Sequence, residues 1–239
     1  MHTMKSPTKS LGELSPFSDP NSANDALTYA TVLLNMLQNR DWETFQLVIL
    51  KKPLAFQALH DLLLCSEEHH GVTFLHAAVR NSPPIEIIDQ IIKICPDAPR
   101  ACDCLNRTPL HVAVGVGASI DLINYLMKSY PEACTIQDED GRTPLHFECD
   151  SESVLFEGDQ GGRGPPSFEV VQTLLSGSIK AASMEDEDGT SPIEYAIISN
   201  ANVRVVKVLQ QAAQMYLRRS AKAAQLTSSP GSNHQGAAA

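Results

Sequence analysis

Three histidines stand 35 residues apart in this chain: His76, His111 and His146. Histidine carries protons near neutral pH and is a common metal ligand, so a recurring set raises both chemistries. Each closes a matching Thr-x-Leu-His string: Thr73-Phe-Leu-His76, Thr108-Pro-Leu-His111 and Thr143-Pro-Leu-His146. Residues so spaced fall on successive layers of a repeating fold, and no carboxylate recurs at a matching inward position beside them. The pattern therefore predicts structural histidines rather than a proton relay or a metal centre. Cys102 and Cys104 are the one close cysteine pair, and no second pair completes a zinc spacing. Gly161-Gly-Arg-Gly follows no strand and so is not read as a phosphate cradle. The sequence contains no Walker loop, Gly-x-Ser-x-Gly elbow, His-Glu-x-x-His string or Cys–His nucleophile arrangement. No catalytic residue, cofactor site or metal ligand is assigned, and a non-enzymatic protein is expected.

The elements that position these strings emerge from self-comparison. A shift of 35 lays GVTFLHAAV (71–79) on NRTPLHVAV (106–114), then on GRTPLHFEC (141–149), and a further 48 reaches GTSPIEYAI (189–197). The fillers align as well, Ile85-Glu-Ile-Ile on Ile120-Asp-Leu-Ile and Pro96-Asp-Ala on Pro131-Glu-Ala. The 48 is 35 plus an insert of 13, a Gly/Pro/acid-rich stretch between Cys149 and Ser167.

Each unit reads as two helices and a turn. Thr108 caps a short first helix that starts at Pro109 and ends by Gly115 and Gly117. The second helix follows a capping residue, Ser119, Ser167 or Asn202, and repeats apolar positions with helical period, as in Leu122, Ile123, Leu126 and Met127. The equivalent positions are Ile87, Ile88, Ile91 and Ile92; Val170, Val171, Leu174 and Leu175; and Val205, Val206, Leu209 and Gln210. An acidic turn then closes at Gly141, Gly189 or Asn106, residue types that tolerate a left-handed backbone.

These strings resemble the ankyrin repeat, whose Gly-x-Thr-Pro-Leu-His-x-Ala opens a helix after a turn with Asp two or three residues before the Gly. The likeness spans about 70–217. Three residues depart from the motif: Phe74 stands for Pro, Glu148 for Ala and Glu194 for His. A shift of 43 extends the register upstream, laying Trp42-Glu-Thr-Phe-Gln-Leu-Val-Ile on Ile85-Glu-Ile-Ile-Asp-Gln-Ile-Ile, with Ala26–Gln38 as the paired first helix. The expected architecture is an all-α ankyrin-repeat solenoid of stacked helix-turn-helix units over 25–217. It comprises a degenerate cap at 25–65, repeats at about 71–105, 106–140, 141–188 and 189–217, and an insert at 150–166. A solenoid must end in polar faces, so the cap is expected to be polar outside, as are Arg204, Lys207, Gln210, Gln211 and Gln214 at the other end. Residues 1–24 and 218–239, rich in Ser, Pro, Gly and Ala, are expected to be disordered.

Composition narrows the partner. The net charge is -10; residues 1–25 contribute -1 and 218–239 contribute +3, so the middle holds -10 + 1 - 3 = -12. Such a body repels nucleic acid and anionic membrane, and suits a basic protein surface. The first residues lack a secretory leader's apolar stretch, and Glu13 and Asp19 count against a transit peptide, so a cytoplasmic location is expected, with the nucleus second. Six irregularly spaced cysteines predict reduced, mostly buried thiols. Ser6-Pro7, Ser15-Pro16 and Arg218-Arg-Ser-Ala are minor phosphorylation signals.

The family resemblance implies that partners dock on a concave face built from turn tips and the exposed ends of first helices. Carried over by register, the expected contact residues are His69, His70, Val72, Arg80 and Asn81; Cys104, Leu105, Arg107 and Val116; Glu139, Asp140, Arg142 and Asp150; and Glu187, Asp188, Thr190 and Ser199. Asp138 and Asp186 match the turn-forming Asp of the family; the remaining tip acids exceed what the turn requires, and suggest a basic ligand for the C-terminal half. The insert is expected to project from the side opposite the tips, with Val154, Leu155 and Phe156 as an apolar contact. A monomeric, non-catalytic scaffold or adaptor is the leading expectation; a regulatory subunit that inhibits or targets an enzyme or transcription factor is the alternative.

Overall fold

The computed structural model describes residues 23–66, 69–155 and 164–227. Ser6, Ser15, Phe156 and residues 161–163 of the glycine-rich string lie outside the described residues. Eleven α-helices and no strand occur among those described, and the fold is an all-α solenoid. The N-terminal unit contains α1 (Ala23–Gln38), α2 (Trp42–Lys51) and α3 (Pro53–Leu64). Four helix pairs follow: α4 (Phe74–Arg80) with α5 (Ile85–Ile94), α6 (Pro109–Gly115) with α7 (Ile120–Ser129), α8 (Pro144–Cys149) with α9 (Phe168–Gly177), and α10 (Pro192–Ile198) with α11 (Val203–Thr227).

The short inner helices are too brief to stand alone and are held by caps and burial. Thr73, Thr108, Thr143 and Ser191 each sit extended just before the helix and close a capping box. The outer helices bury one stripe each, Ile87, Ile88 and Ile91, then Leu122, Ile123, Leu126 and Met127, then Val171, Leu174 and Leu175, then Val205 and Leu209. Of the other expected stripe positions, Ile92, Val170 and Val206 are half-buried and Gln210 is exposed. One continuous core runs from Ala30 to Ala212 through every unit.

Three differences from expectation concern the ends. Where other units close with a short 3-10 turn, such as Pro131–Thr135, the first builds a full third helix. After Pro53 come strong helix formers, and Phe56, Leu59 and Leu63 bury at steps of three and four. The outer surface of this unit is less polar than expected, with Leu47, Leu50 and Leu54 exposed. At the other end α11 runs ten residues beyond 217 to Thr227, because its Ala, Arg, Lys and Gln favour helix, so the expected disorder is corrected over 218–227, and 228–239 lie outside the described residues. The six cysteines are free thiols, but three rather than most are buried: Cys95, Cys134 and Cys149 are inside, and Cys65, Cys102 and Cys104 are exposed.

The first departure from the motif has a packing reason. Phe74 is fully buried and stacks on Phe56 at 4.7 Å between centroids, with Phe45 6.4 Å away. A proline ring could not reach both, so Phe74 joins the N-terminal unit to the regular stack. Replacing Phe74 with Ala should cost about 3–5 kcal/mol through lost burial and the cavity left behind. Trp42, the single tryptophan, lies in α2 and reports on that unit. In urea, its fluorescence transition should move to lower concentration by more than the helical circular-dichroism signal does.

Candidate protein-binding face

The recurring histidines bond forward along the stack. Each Nδ1 accepts its own cap residue's amide N–H, from Thr73 at 3.3 Å, Thr108 at 3.0 Å and Thr143 at 2.9 Å. The proton therefore sits on Nε2, which donates to the backbone carbonyl of the next unit's turn. The acceptors are Arg107 at 2.9 Å, Arg142 at 3.2 Å and Thr190 at 3.3 Å. All three rings are buried. Desolvation pushes each pKa down to about 4, outweighing the bonded carbonyls, so the rings are neutral at pH 7. Both nitrogens of each are occupied by backbone. Among the described residues, no group of three or more His, Cys, Asp or Glu is placed to hold a metal.

The turn tips form a ledge beside this row. Asp103 Oδ1 accepts from the amides of Leu105 and Arg107, Asp138 Oδ1 from Asp140 and Arg142, and Asp186 Oδ1 from Asp188 and Thr190, all at 2.7–3.1 Å. These three carboxylates are buried and fold the turn. Successive tips then join through backbone: Cys104 N–H to His70 O at 2.7 Å, Glu139 N–H to Leu105 O at 2.9 Å, and Glu187 N–H to Asp140 O at 3.0 Å. Gly141 must be glycine twice over, since its φ is +77° and a Cβ would lie 2.8 Å from the Glu187 nitrogen. Glu139, Asp140, Glu187 and Asp188 are exposed, turned out from the ledge.

Two arginines in equivalent places behave differently. Arg107 is buried; its guanidinium bonds Asp103 Oδ2 at 2.7 Å and donates to the carbonyl of Leu155. Arg142 is half-buried, donates to the Tyr195 hydroxyl at 2.8 Å, pairs with Asp150 at 3.4 Å and lies 3.9 Å from Asp186. Burial pushes Asp186 upward, but the Tyr195 hydroxyl and the Thr190 amide outweigh it and hold the carboxyl below its ordinary value.

Leu155 corrects the expected course of the insert. Rather than projecting away, its first residues turn back over the concave side. Ser151 N–H bonds Ser199 Oγ at 2.9 Å, and Leu155 buries against Gly115. A Cβ at position 115 would fall 1.7 Å from Leu155 Cδ1, so the missing side chain is the seat. Val154 remains exposed while Leu155 does not. Arg107, expected as a free contact residue, is covered by this strap.

On the N-terminal side of the strap lies a concave cavity of about 380 Å³. It gathers His69, His70, Val72, Arg80, Asn81, Cys104 and Arg107 of the expected residues, with Ala77 and Val112. His69 is tethered between Ser66 Oγ at 3.2 Å and Thr31 Oγ1 at 3.4 Å, and Asn81 Nδ2 donates to Ala77 O at 2.8 Å. Leu34 and Gln38 of α1 complete the wall. They were not among the expected residues, although the 43-residue shift places them on Ala77 and Asn81. Leu105 is exposed on the ledge, and Asp150 and Arg142 are half-buried in the pair just described. Val116, Thr190 and Ser199 are half-buried, with Thr190 and Ser199 bonded as above. The face thus has an N-terminal cavity, a strap, and an acidic C-terminal ledge. No described helix is long and apolar enough to cross a membrane.

A family model for ankyrin repeats in many copies matches residues 97–147, the span from the turn before α6 to the end of the α8 histidine string. No curated protein matches the chain.

Acid should unfold this stack with a definite proton count. Unfolded histidine titrates near 6.5, whereas His76, His111 and His146 titrate near 4 in the fold. The unfolded chain therefore binds more protons: stability is level above pH 6.5, is lost as pH falls from 6.5 to 4, and loses no more to these groups below that. Near pH 5 the three together should give a slope of about 3–4 kcal/mol per pH unit. Buried His60, whose ring nitrogens are both unbonded and whose pKa is also lowered by desolvation, acts in the same direction. Urea titrations between pH 7 and 5 should show this slope, and His111→Gln should reduce it by about one proton. The strap has its own test. Gly115→Ala should expel Leu155, seen as faster hydrogen exchange at residues 151–155 with α6 still protected.

Proposed function

The chain is an ankyrin-repeat protein, and from that premise we propose that it is a non-catalytic scaffold or adaptor whose concave face holds a basic segment of another protein. Ankyrin repeats generally mediate protein–protein interaction, which sets the class of function. The observation that carries the finer reading is the division of the ledge carboxylates. Asp103, Asp138 and Asp186 are buried and bound to backbone amides. Glu139, Asp140, Glu187 and Asp188 are exposed, so their charge is available to a ligand.

Geometry supports a ligand lying along the stack. The tip-to-tip hydrogen bonds fix the outward carboxylates in one row, and a fixed row of charge is complementary to an extended basic segment. The cavity at the N-terminal end, with Leu34, Val72, Ala77 and Val112 in its wall, offers an apolar seat for one anchoring side chain. Strap and ledge together leave the ligand a path over the tips rather than through the groove floor at α6.

The test is comparative. Affinity purification with mass spectrometry should be run on the wild-type chain and on Glu139→Lys/Glu187→Lys, with circular dichroism confirming the fold of both. A partner with a basic segment should be held by wild type and weakened roughly tenfold or more by the double reversal, and its affinity should fall as salt rises. A partner bound equally by both proteins and indifferent to salt would count against the reading.

A further inference from the structure

α11 carries the opposite charge from the ledge. Its inward face is Val205, Leu209 and Ala212, all buried in the stack. On the other side Arg204, Lys207, Gln211, Gln214, Arg218 and Lys222 are all exposed. They follow one another at steps of three or four, which at 100° per residue confines them to an arc of about 80°. At 1.5 Å per residue the row is about 27 Å long. Arg219 flanks it, and no Asp or Glu occurs from Val203 to the end of the sequence. Arg204 with Lys207 and Arg218 with Lys222 are like-charged neighbours on one helix face, a repulsion that no acid in the helix offsets. Among the described residues, none of these cations forms an ion pair.

We propose that this row is a second docking surface, which takes an acidic helical segment of a protein partner. Carboxylates at steps of three and four on a partner helix would match the cation spacing, and 27 Å is the length of about eighteen helical residues. Met215, 45% exposed at the edge of the row, adds an apolar contact that a purely phosphate ligand would not use. An anionic membrane fits less well, because surface-lying helices bury a wide apolar face in lipid and that of α11 is already in the stack. Duplex nucleic acid would bring its phosphates against an otherwise acidic body. The final ten residues of α11 extend past residue 217, where the partner has room on the outward side. This surface is independent of the concave reading, since it lies on another helix and has the other sign.

A fluorescein-labelled synthetic helical peptide, with Glu at every third or fourth position and Leu beside it, is titrated against the full chain and followed by anisotropy. Saturable binding that weakens with salt is expected. Arg218→Glu/Lys222→Glu should weaken it by at least about tenfold, while the same charge change away from the row, Lys51→Glu/Lys128→Glu, should alter it by less than about threefold. Arg204→Gln/Lys207→Gln, where α11 is packed in the stack, should weaken it less, and circular dichroism verifies the helix in each variant. Absence of saturable binding, equal binding by wild type and Arg218→Glu/Lys222→Glu, or a preference for phosphatidylserine vesicles or duplex DNA over the peptide would overturn the proposal.

Discussion

The interaction on which the stack depends is the bond from each buried histidine Nε2–H to a carbonyl of the following unit. A six- or seven-residue helix leaves most of its first amides without internal partners, and cannot persist unless something outside it supplies them. Histidine does so in both directions, its Nδ1 taking the cap amide while its Nε2 reaches the next turn. That forward bond fixes the turn whose Asp then bonds its own amides, and the turn fixes where the next tip sits. The outward carboxylates and the cavity wall are placed by this chain of bonds. Neutrality is part of the arrangement, because a charged ring would lack the second acceptor and would carry charge into a dry interior.

The same logic accounts for the residues that break the motif. Glu194 stands where histidine is expected, and its Oε2 takes the Ser191 amide at 2.7 Å, as the histidine Nδ1 does. It has no proton to donate forward, and needs none, because α11 continues as helix to Thr227 where the outer helices of earlier units lead into another turn. Glu148 replaces a packed Ala next to the insert, where its Oε1 accepts the Ser167 N–H at 2.7 Å and so tethers the start of α9. Phe74 replaces proline at the junction with the N-terminal unit and fills the space between Phe45 and Phe56. In each case the inner helix keeps its cap, and the change serves whatever adjoins it.

What the sequence makes legible follows from the range of the interactions. Caps, helical stripes and left-handed turn residues act within a few positions, so the 35-residue register exposes them, and with them the tips. The strap was not legible, because its cause is a contact between Gly115 and Leu155 forty residues apart. Gly115 reads locally as a helix stop, and nothing nearby says that its bare surface is a seat. The burial of Arg107 has the same cause: its register position is open in a regular repeat, and residues 151–155 overlie it here. The cavity wall from α1 was readable in principle, since Leu34 and Gln38 fall on concave positions once the weak 43-residue shift is followed to individual residues. The extra turns of α3 and α11 lay beyond the repeat unit, where register has nothing to compare.

The strap also bears on how an extended segment can lie against this face. Leu155 places its side chain where Gly115 leaves room, and its carbonyl accepts from Arg107, whose charge is already balanced by Asp103. One apolar side chain and one backbone carbonyl are thus held by a small residue and a preformed ion pair, with no rearrangement of the repeats around them. The neighbouring unit offers a related surface in another form. Arg80 occupies the place of Gly115, Ala77 that of Val112, and the space beside them is the 380 Å³ cavity rather than a seated leucine. Residues 151–155 cover the inner face at α6 and leave the cavity and the ledge on either side of them. On the proposed reading, a long ligand would therefore meet two separated sites instead of one continuous groove. Two sites joined by a short span discriminate by spacing as well as by chemistry, because both gain only when the segment between anchor and charges has the right length.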